Sequence, residues 1–141
     1  MKQTVQTPLP STRGHLRVFI VEDSALVREL IIENLSRISG VDIVGFSDTE
    51  SDALAQLAEL KCDVMVLDIE LKHGNGLNLL RTLRENQMHS NDLKIIFSNN
   101  VSNTYRRLGE QYGVDHFFDK TSEFSNLYSL IEQLGTCSSS Q

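Results

Sequence analysis

The chain has little of what would tie it to an oxidising compartment, a nucleic acid or a membrane. Its two cysteines, Cys62 and Cys137, are too few for a disulfide framework. Cys62 falls at a predicted helix-to-strand junction and Cys137 in a Ser-rich tail. Neither has a His, Cys or carboxylate neighbour at metal-ligand spacing, so no zinc site is expected. Positive charge is also scarce. Thirteen Lys and Arg against 19 Asp and Glu leave a net charge of −6, which argues against a nucleic-acid partner, because phosphate contacts need clustered bases. No apolar run approaches the roughly 18–20 residues of a membrane span, and the N-terminus lacks an apolar signal core. Neither membrane insertion nor secretion is expected, and the expected location is cytoplasmic. Both prolines, Pro8 and Pro10, lie in the first 14 residues, which show no periodicity and read as a flexible leader.

What is present is ordinary for a folded domain: 141 residues, 40% apolar and 23% charged, enough for one core and too few for two domains. The expected division is a leader over 1–14, one domain over 15–135 and a disordered tail over 136–141. Strands are predicted at Leu16–Val21, Val41–Phe46, Asp63–Leu67, Leu93–Phe97 and Val114–Phe118. Between them lie helical patterns. Ser24 opens the first, with Val27, Ile31, Leu35 and Ile38 along one face and Gly40 as its stop. Cap-type residues from Ser47 to Asp52 open the second, with Leu54, Leu57 and Ala58 turned inward. The Lys72–Gly76 loop has the Gly and Asn content of a turn needing positive φ, and Leu77, Leu80 and Leu83 carry the third helix. Ser102–Tyr112 is the weakest helical stretch, with only Tyr105, Leu108 and Tyr112 as a stripe. The last helix shows Phe124, Leu127, Tyr128, Ile131 and Leu134, and Gly135 is expected to end it. Alternating strands and helices with short connections predict an α/β fold. It is a (βα)5 flavodoxin-like, doubly wound parallel five-stranded sheet of order 2-1-3-4-5.

In a parallel sheet the carboxyl ends of all strands share one edge. The residues following each strand are Glu22-Asp23, Ser47-Asp48, Asp68, Ser98-Asn99 and Asp119-Lys120. In the expected order, Glu22, Asp23 and Asp68 share a pocket at the switch point. Two like charges roughly 4 Å apart repel by about 4 kcal/mol at an effective dielectric near 20, so either a pKa rises or a cation fills the site. Oxygen-only ligands in a small cluster suit Mg2+ better than Ca2+. Lys120 adds a second positive charge and Ser98 a hydroxyl. That inventory fits phosphoryl transfer to a carboxylate, with Asp68 as nucleophile.

These residues resemble the receiver domain of two-component response regulators over about residues 15–135. The resemblance rests on Glu22-Asp23, Leu67-Asp68-Ile69-Glu70, Gly74-Asn75-Gly76-Leu77, Ser98 and the Gly113–Lys120 run, all in order on a (βα)5 frame. It implies that Asp68 is the phosphoacceptor and that Ser98 and Lys120 contact the phosphoryl group. Glu22 (through water), Asp23, Asp68 and the backbone carbonyl of Glu70 would hold Mg2+, with Mn2+ as an alternative. Phe117, three residues before the lysine, takes the aromatic switch position beside Ser98. Such a domain catalyses its own Mg-dependent phosphorylation and dephosphorylation but is primarily a signalling switch. The implied partners are a sensor histidine kinase or histidine phosphotransfer protein and an unknown downstream protein target, with room for a dimer formed on phosphorylation.

Three positions depart from the family pattern. Glu22 stands where many members have Asp, Ser98 replaces the commoner Thr, and Thr121 stands where Pro usually follows the lysine. The Lys120–Phe124 run resembles receivers without an effector domain, so a stand-alone receiver is expected. The alternatives are a phosphorelay intermediate or phosphate sink, and a receiver-like interaction module that works without phosphorylation. A flavodoxin-like cofactor binder is disfavoured, because the acidic Val21–Ser24 turn lacks the glycines and donors of a phosphate cradle. Taken singly, several residues have plainer readings: Arg106 and Arg107 as a solvated helix face, His73 and His116 as surface residues, and Asp48–Asp52 as helix capping.

Overall fold

A computed structural model of the chain describes residues 15–139. Five strands run β1 Leu16–Val21, β2 Val41–Ser47, β3 Val64–Leu67, β4 Leu93–Ser98 and β5 His116–Asp119. Five helices alternate with them: α1 Ala25–Ser36, α2 Glu50–Leu57, α3 Gly76–Glu85, α4 Asn103–Gln111 and α5 Phe124–Ser139. All pairings are parallel and the order is β2-β1-β3-β4-β5, as the alternation predicts.

The three central strands are apolar on both faces, and their two-residue period divides the core in two. Phe19, Met65, Leu67 and Ile96 point to one side, where Ala53 and Leu57 of α2 and Leu79, Leu80 and Leu83 of α3 cover them. Val18, Ile20, Val64, Val66, Ile95 and Phe97 point to the other, under Ile31 and Leu35 of α1 and Leu127 and Ile131 of α5. Side chains cap four of the helices. Ser24, Thr49, Asn75 and Ser102 each accept a hydrogen bond from a backbone N–H of the first turn, satisfying donors that have no partner within the helix.

Several local expectations are corrected. The first helix ends at Ser36, capped by Arg37, and Ile38 is buried in the turn that follows. Gly40, at φ 83°, serves that turn and not the helix end. Ala53, not the exposed Ala58, is the inward alanine of α2. In the β3–α3 loop only Gly74 needs the left-handed region (φ 104°), whereas Asn75 is extended and caps α3. Strand β5 starts at His116, because Val114 is taken up in the buried turn after Gly113. The last helix does not stop at Gly135 but runs to Ser139. Gly135 packs on the α1–β2 turn, where an added Cβ would meet Val41 Cγ2 at 3.0 Å, so the glycine marks close packing and not termination. The leader predicted for residues 1–14 lies outside the described residues, as do the last two residues of the predicted tail.

Candidate acidic site at the carboxyl edge of the sheet

Ladder hydrogen bonds extend one residue past the strands and fix the residues that follow them. The Asp68 N–H donates to the Val21 carbonyl at 3.0 Å, that of Glu22 to Ser47 at 2.9 Å, and that of Lys120 to Ser98 at 2.9 Å. The backbone thereby aims the acidic residues after β1 and β3 and the lysine after β5 at one place.

Lys120 joins them. Its Nζ donates to Asp68 Oδ2 at 2.6 Å and to Glu22 Oε1 at 2.7 Å. The second oxygen of each carboxylate is also held, Asp68 Oδ1 by the Ile69 N–H at 2.7 Å and Glu22 Oε2 by the Ser24 N–H at 3.0 Å. Both carboxylates are buried, at 8% and 2% exposure. Burial raises the Glu22 carboxyl above the ordinary glutamate range, against the opposing pull of Lys120 and Ser24. Burial also works against the Lys120 ammonium, but its bonds to Asp68 and Glu22 outweigh that, and its pKa stands above the usual lysine value.

Asp23 completes the cluster from the start of the β1–α1 turn, where its Oδ2 accepts from the Lys72 N–H at 2.5 Å. One carboxylate oxygen from each of Glu22, Asp23 and Asp68 lies within 4.8 Å of the other two. Three hard oxygen donors, two of them on residues bonded to Lys120, make a donor set that suits a small divalent cation such as Mg2+. Glu70 is exposed, and its side chain turns away to accept from Asn100 Nδ2 at 3.1 Å. Ser98 is buried at the end of β4, where its Oγ accepts from the Asn100 N–H at 3.2 Å.

Phe117 is half-buried on the α4 side of the sheet. Arg106 lies 5.3 Å over its ring, so this arginine does more than solvate a helix face. The Lys120–Thr121 peptide is trans. The Thr121 N–H and hydroxyl both bond Asp119 Oδ1, at 2.8 and 2.5 Å, and a proline there would have no N–H to give.

Two supports of the site are contacts that the sequence does not announce, one of them at the glycine that ends the Lys72–Gly76 turn. An added Cβ on Gly76 would lie 2.0 Å from the Asp68 carbonyl oxygen, so α3 begins against the backbone of the central acid. Glu50 braces the intervening loop, accepting from the Asn75 N–H at 2.9 Å and Asn78 Nδ2 at 2.5 Å. Neither contact has a spacing pattern, since each joins segments that meet only in the folded sheet.

The family model of the response regulator receiver domain matches residues 18–132. A protein-glutamate methylesterase/protein-glutamine glutaminase of Cereibacter sphaeroides is 42% identical over 72 residues, 51% of this chain and 20% of that protein. A probable C4-dicarboxylate response regulator of Halalkalibacterium halodurans is 26% identical over 118 residues, 84% of this chain and 50% of that one. The chain thus spans between a fifth and a half of these relatives. Among solved structures, the receiver domain of the putative response regulator NarL from Mycobacterium tuberculosis superposes with a TM-score of 0.75 at 21% identity, covering 86% of this chain and 96% of that one. The response regulator domain of Thermotoga maritima CheB gives 0.73 at 21% identity, covering 90% and 98%. These two likenesses show the shared fold. The family match, covering most of the domain and reaching every strand of the sheet, places this chain in the response regulator receiver domain family.

Proposed function

We propose that this receiver accepts a phosphoryl group on Asp68 and signals through protein contacts that change on phosphorylation. The observation that carries the reading is Asp68 itself, a buried carboxylate at the end of a central strand, with Lys120 on one oxygen and two further acids within ligating reach. The donor is a phosphohistidine on a sensor kinase or phosphotransfer protein. An Asp68 oxygen attacks phosphorus, the P–N bond breaks, the electron pair leaves with the imidazole, and an acyl phosphate forms.

The Lys120 ammonium then turns from the carboxylate to a phosphoryl oxygen, and the Ser98 hydroxyl donates to another. Glu22, Asp23, Asp68 and the Glu70 backbone carbonyl would hold Mg2+, or Mn2+ in its place, which offsets negative charge on the transferring group. When Ser98 turns toward the phosphoryl group, the Phe117 ring and the lightly packed α4 are the elements placed to respond. The output is read by a downstream protein, with dimerisation on phosphorylation as one form it can take. The Lys120–Phe124 run supports a stand-alone receiver, and the proposed location is the cytoplasm.

Incubation with acetyl phosphate and Mg2+ tests the reading. The wild-type chain should gain acid-labile phosphate and Asp68→Asn should not; equal incorporation in the two would overturn it.

A further inference from the structure

The opposite edge of the sheet holds a second convergence, which the functional reading above does not use. β3 is preceded by Cys62 and Asp63, and the α3–β4 connection lays His89 and Asp92 over that start. Cys62 Sγ lies 3.9 Å from His89 Nδ1 and 3.5 Å from Asp92 Oδ2. His89 Nδ1 in turn contacts Asp92 Oδ2. Among the described residues, this cluster and the Glu22–Asp23–Asp68 cluster are the two groups of His, Cys and acidic side chains close enough to share a metal ion.

The geometry sets the proton positions on His89. Its Nε2 lies 2.7 Å from the Leu57 carbonyl oxygen, which can only accept, so Nε2 carries the hydrogen. Nδ1 then faces a carboxylate oxygen, and the place between the two takes either the proton of a His–Asp ion pair or a metal ion instead of it. A backbone carbonyl on the far nitrogen is also how metal-bound imidazoles are commonly oriented. The backbone is held for the purpose: His89 sits in the left-handed region (φ 55°), and Lys94 Nζ ties the His89 and Asp92 carbonyls together. Burial, reinforced by Asp92, drives the Cys62 thiol well above the ordinary cysteine range, so it is no free nucleophile.

We infer that Cys62, His89 and Asp92 form a zinc-binding site. Thiolate, imidazole and carboxylate together are the donor set of borderline Zn2+ and not of Mg2+. A tetrahedral zinc with bonds of about 2.3 Å to sulfur and about 2.0 Å to nitrogen or oxygen places sulfur about 3.5 Å from either partner, close to the sulfur distances found, whereas His89 Nδ1 and Asp92 Oδ2, now in hydrogen-bond contact, must part to about 3.3 Å to admit the ion. Binding displaces one thiol proton to solvent and any proton held between His89 and Asp92. The bound site has one dipositive ion against one thiolate and one carboxylate, so it is neutral. The fourth position opens to the groove lined by Lys61, Ser90 and Asn91, where water completes the shell.

Cobalt(II) titration of the full chain tests this. One equivalent should bring the near-ultraviolet thiolate-to-cobalt charge-transfer band and the intense visible bands of a tetrahedral site, and Zn2+ should abolish both. The bands should survive Cys137→Ser, which removes the other thiol, and Asp68→Asn, which disables the other cluster. They should vanish in Cys62→Ser, and zinc affinity measured against a chelating dye should fall at least tenfold in His89→Gln and Asp92→Asn. No charge-transfer band in the wild type overturns the site. So does unchanged zinc affinity in His89→Gln or Asp92→Asn, whether or not Cys62→Ser folds.

Discussion

The Lys120 ammonium lies 2.6 Å from Oδ2 of Asp68, a bond that closes 52 residues of sequence and also engages Glu22. One cation is therefore shared by two buried carboxylates. Removing it leaves both unpaired, and breaking a buried pair from one side costs about 3–5 kcal/mol. Lys120→Met should lose stability on that scale in denaturant unfolding at neutral pH. Millimolar Mg2+ should restore part of it, since a second cation can take the lysine's place. The deficit should shrink in acid, where Glu22, already raised by burial, takes up a proton.

Gly76→Ala should be among the most damaging single changes. A Cβ at 2.0 Å from the Asp68 carbonyl oxygen cannot be relieved by a side-chain rotation, because the obstacle is backbone. Overpacking costs about 1–3 kcal/mol where side chains can move, and this site should exceed that range. Unfolding and the acetyl-phosphate reaction should both register it. A variant with wild-type stability and wild-type phosphate uptake would refute the close approach.

Gly109→Ala reverses the usual sign of a helix substitution. In an exposed helix interior the change gains about 1 kcal/mol. Here the new methyl would stand 2.6 Å from the Phe117 ring, and a net loss of about 1–2 kcal/mol is expected. Repeating it in a Phe117→Ala background should recover the gain, and a double-mutant cycle measures the coupling.

Asp63 braces the amino end of the sheet by accepting from the Arg17 backbone N–H at 2.8 Å and from its guanidinium at 3.1 and 3.2 Å. Burial alone would raise its pKa, but the Arg17 bonds hold it below the ordinary value of 3.8. An acid whose pKa is depressed by folding contributes stability that is complete above its unfolded value and is lost as pH falls through its folded one. Asp63→Asn should therefore cost about 1 kcal/mol at pH 7, and the gap to wild type should begin to narrow below about pH 4 and close as the pH falls through the lowered folded value. A gap independent of pH would assign the loss to the backbone bond alone.

The sequence was most legible where the physics is local. Short apolar runs marked the strands, Ser24, the Ser47–Asp52 cluster and Ser102 marked helix starts, and an acid after an apolar run drew attention to Asp68. Helix ends were read less well. Gly40 and Gly135 look like terminators, yet one serves a later turn and the other admits a close contact with Val41. A glycine has the same letter whether it frees φ or clears space, and only its neighbours distinguish the two.

By itself the sequence determined the alternation of strands and helices, and with it the shared edge on which Glu22, Asp23, Asp68, Ser98 and Lys120 fall, because strand direction fixes which end of each strand faces that edge. Only the tertiary structure decided which oxygen meets which donor: Lys120 between Asp68 and Glu22, Gly76 against the Asp68 backbone, Arg106 over Phe117. It also brought Cys62 to His89 and Asp92, which lie 27 and 30 residues further along the chain with no spacing motif to announce them. Hydrophobic period reports which face a residue occupies, whereas register and loop path set the ångström-scale distances on which ion pairs and metal sites depend.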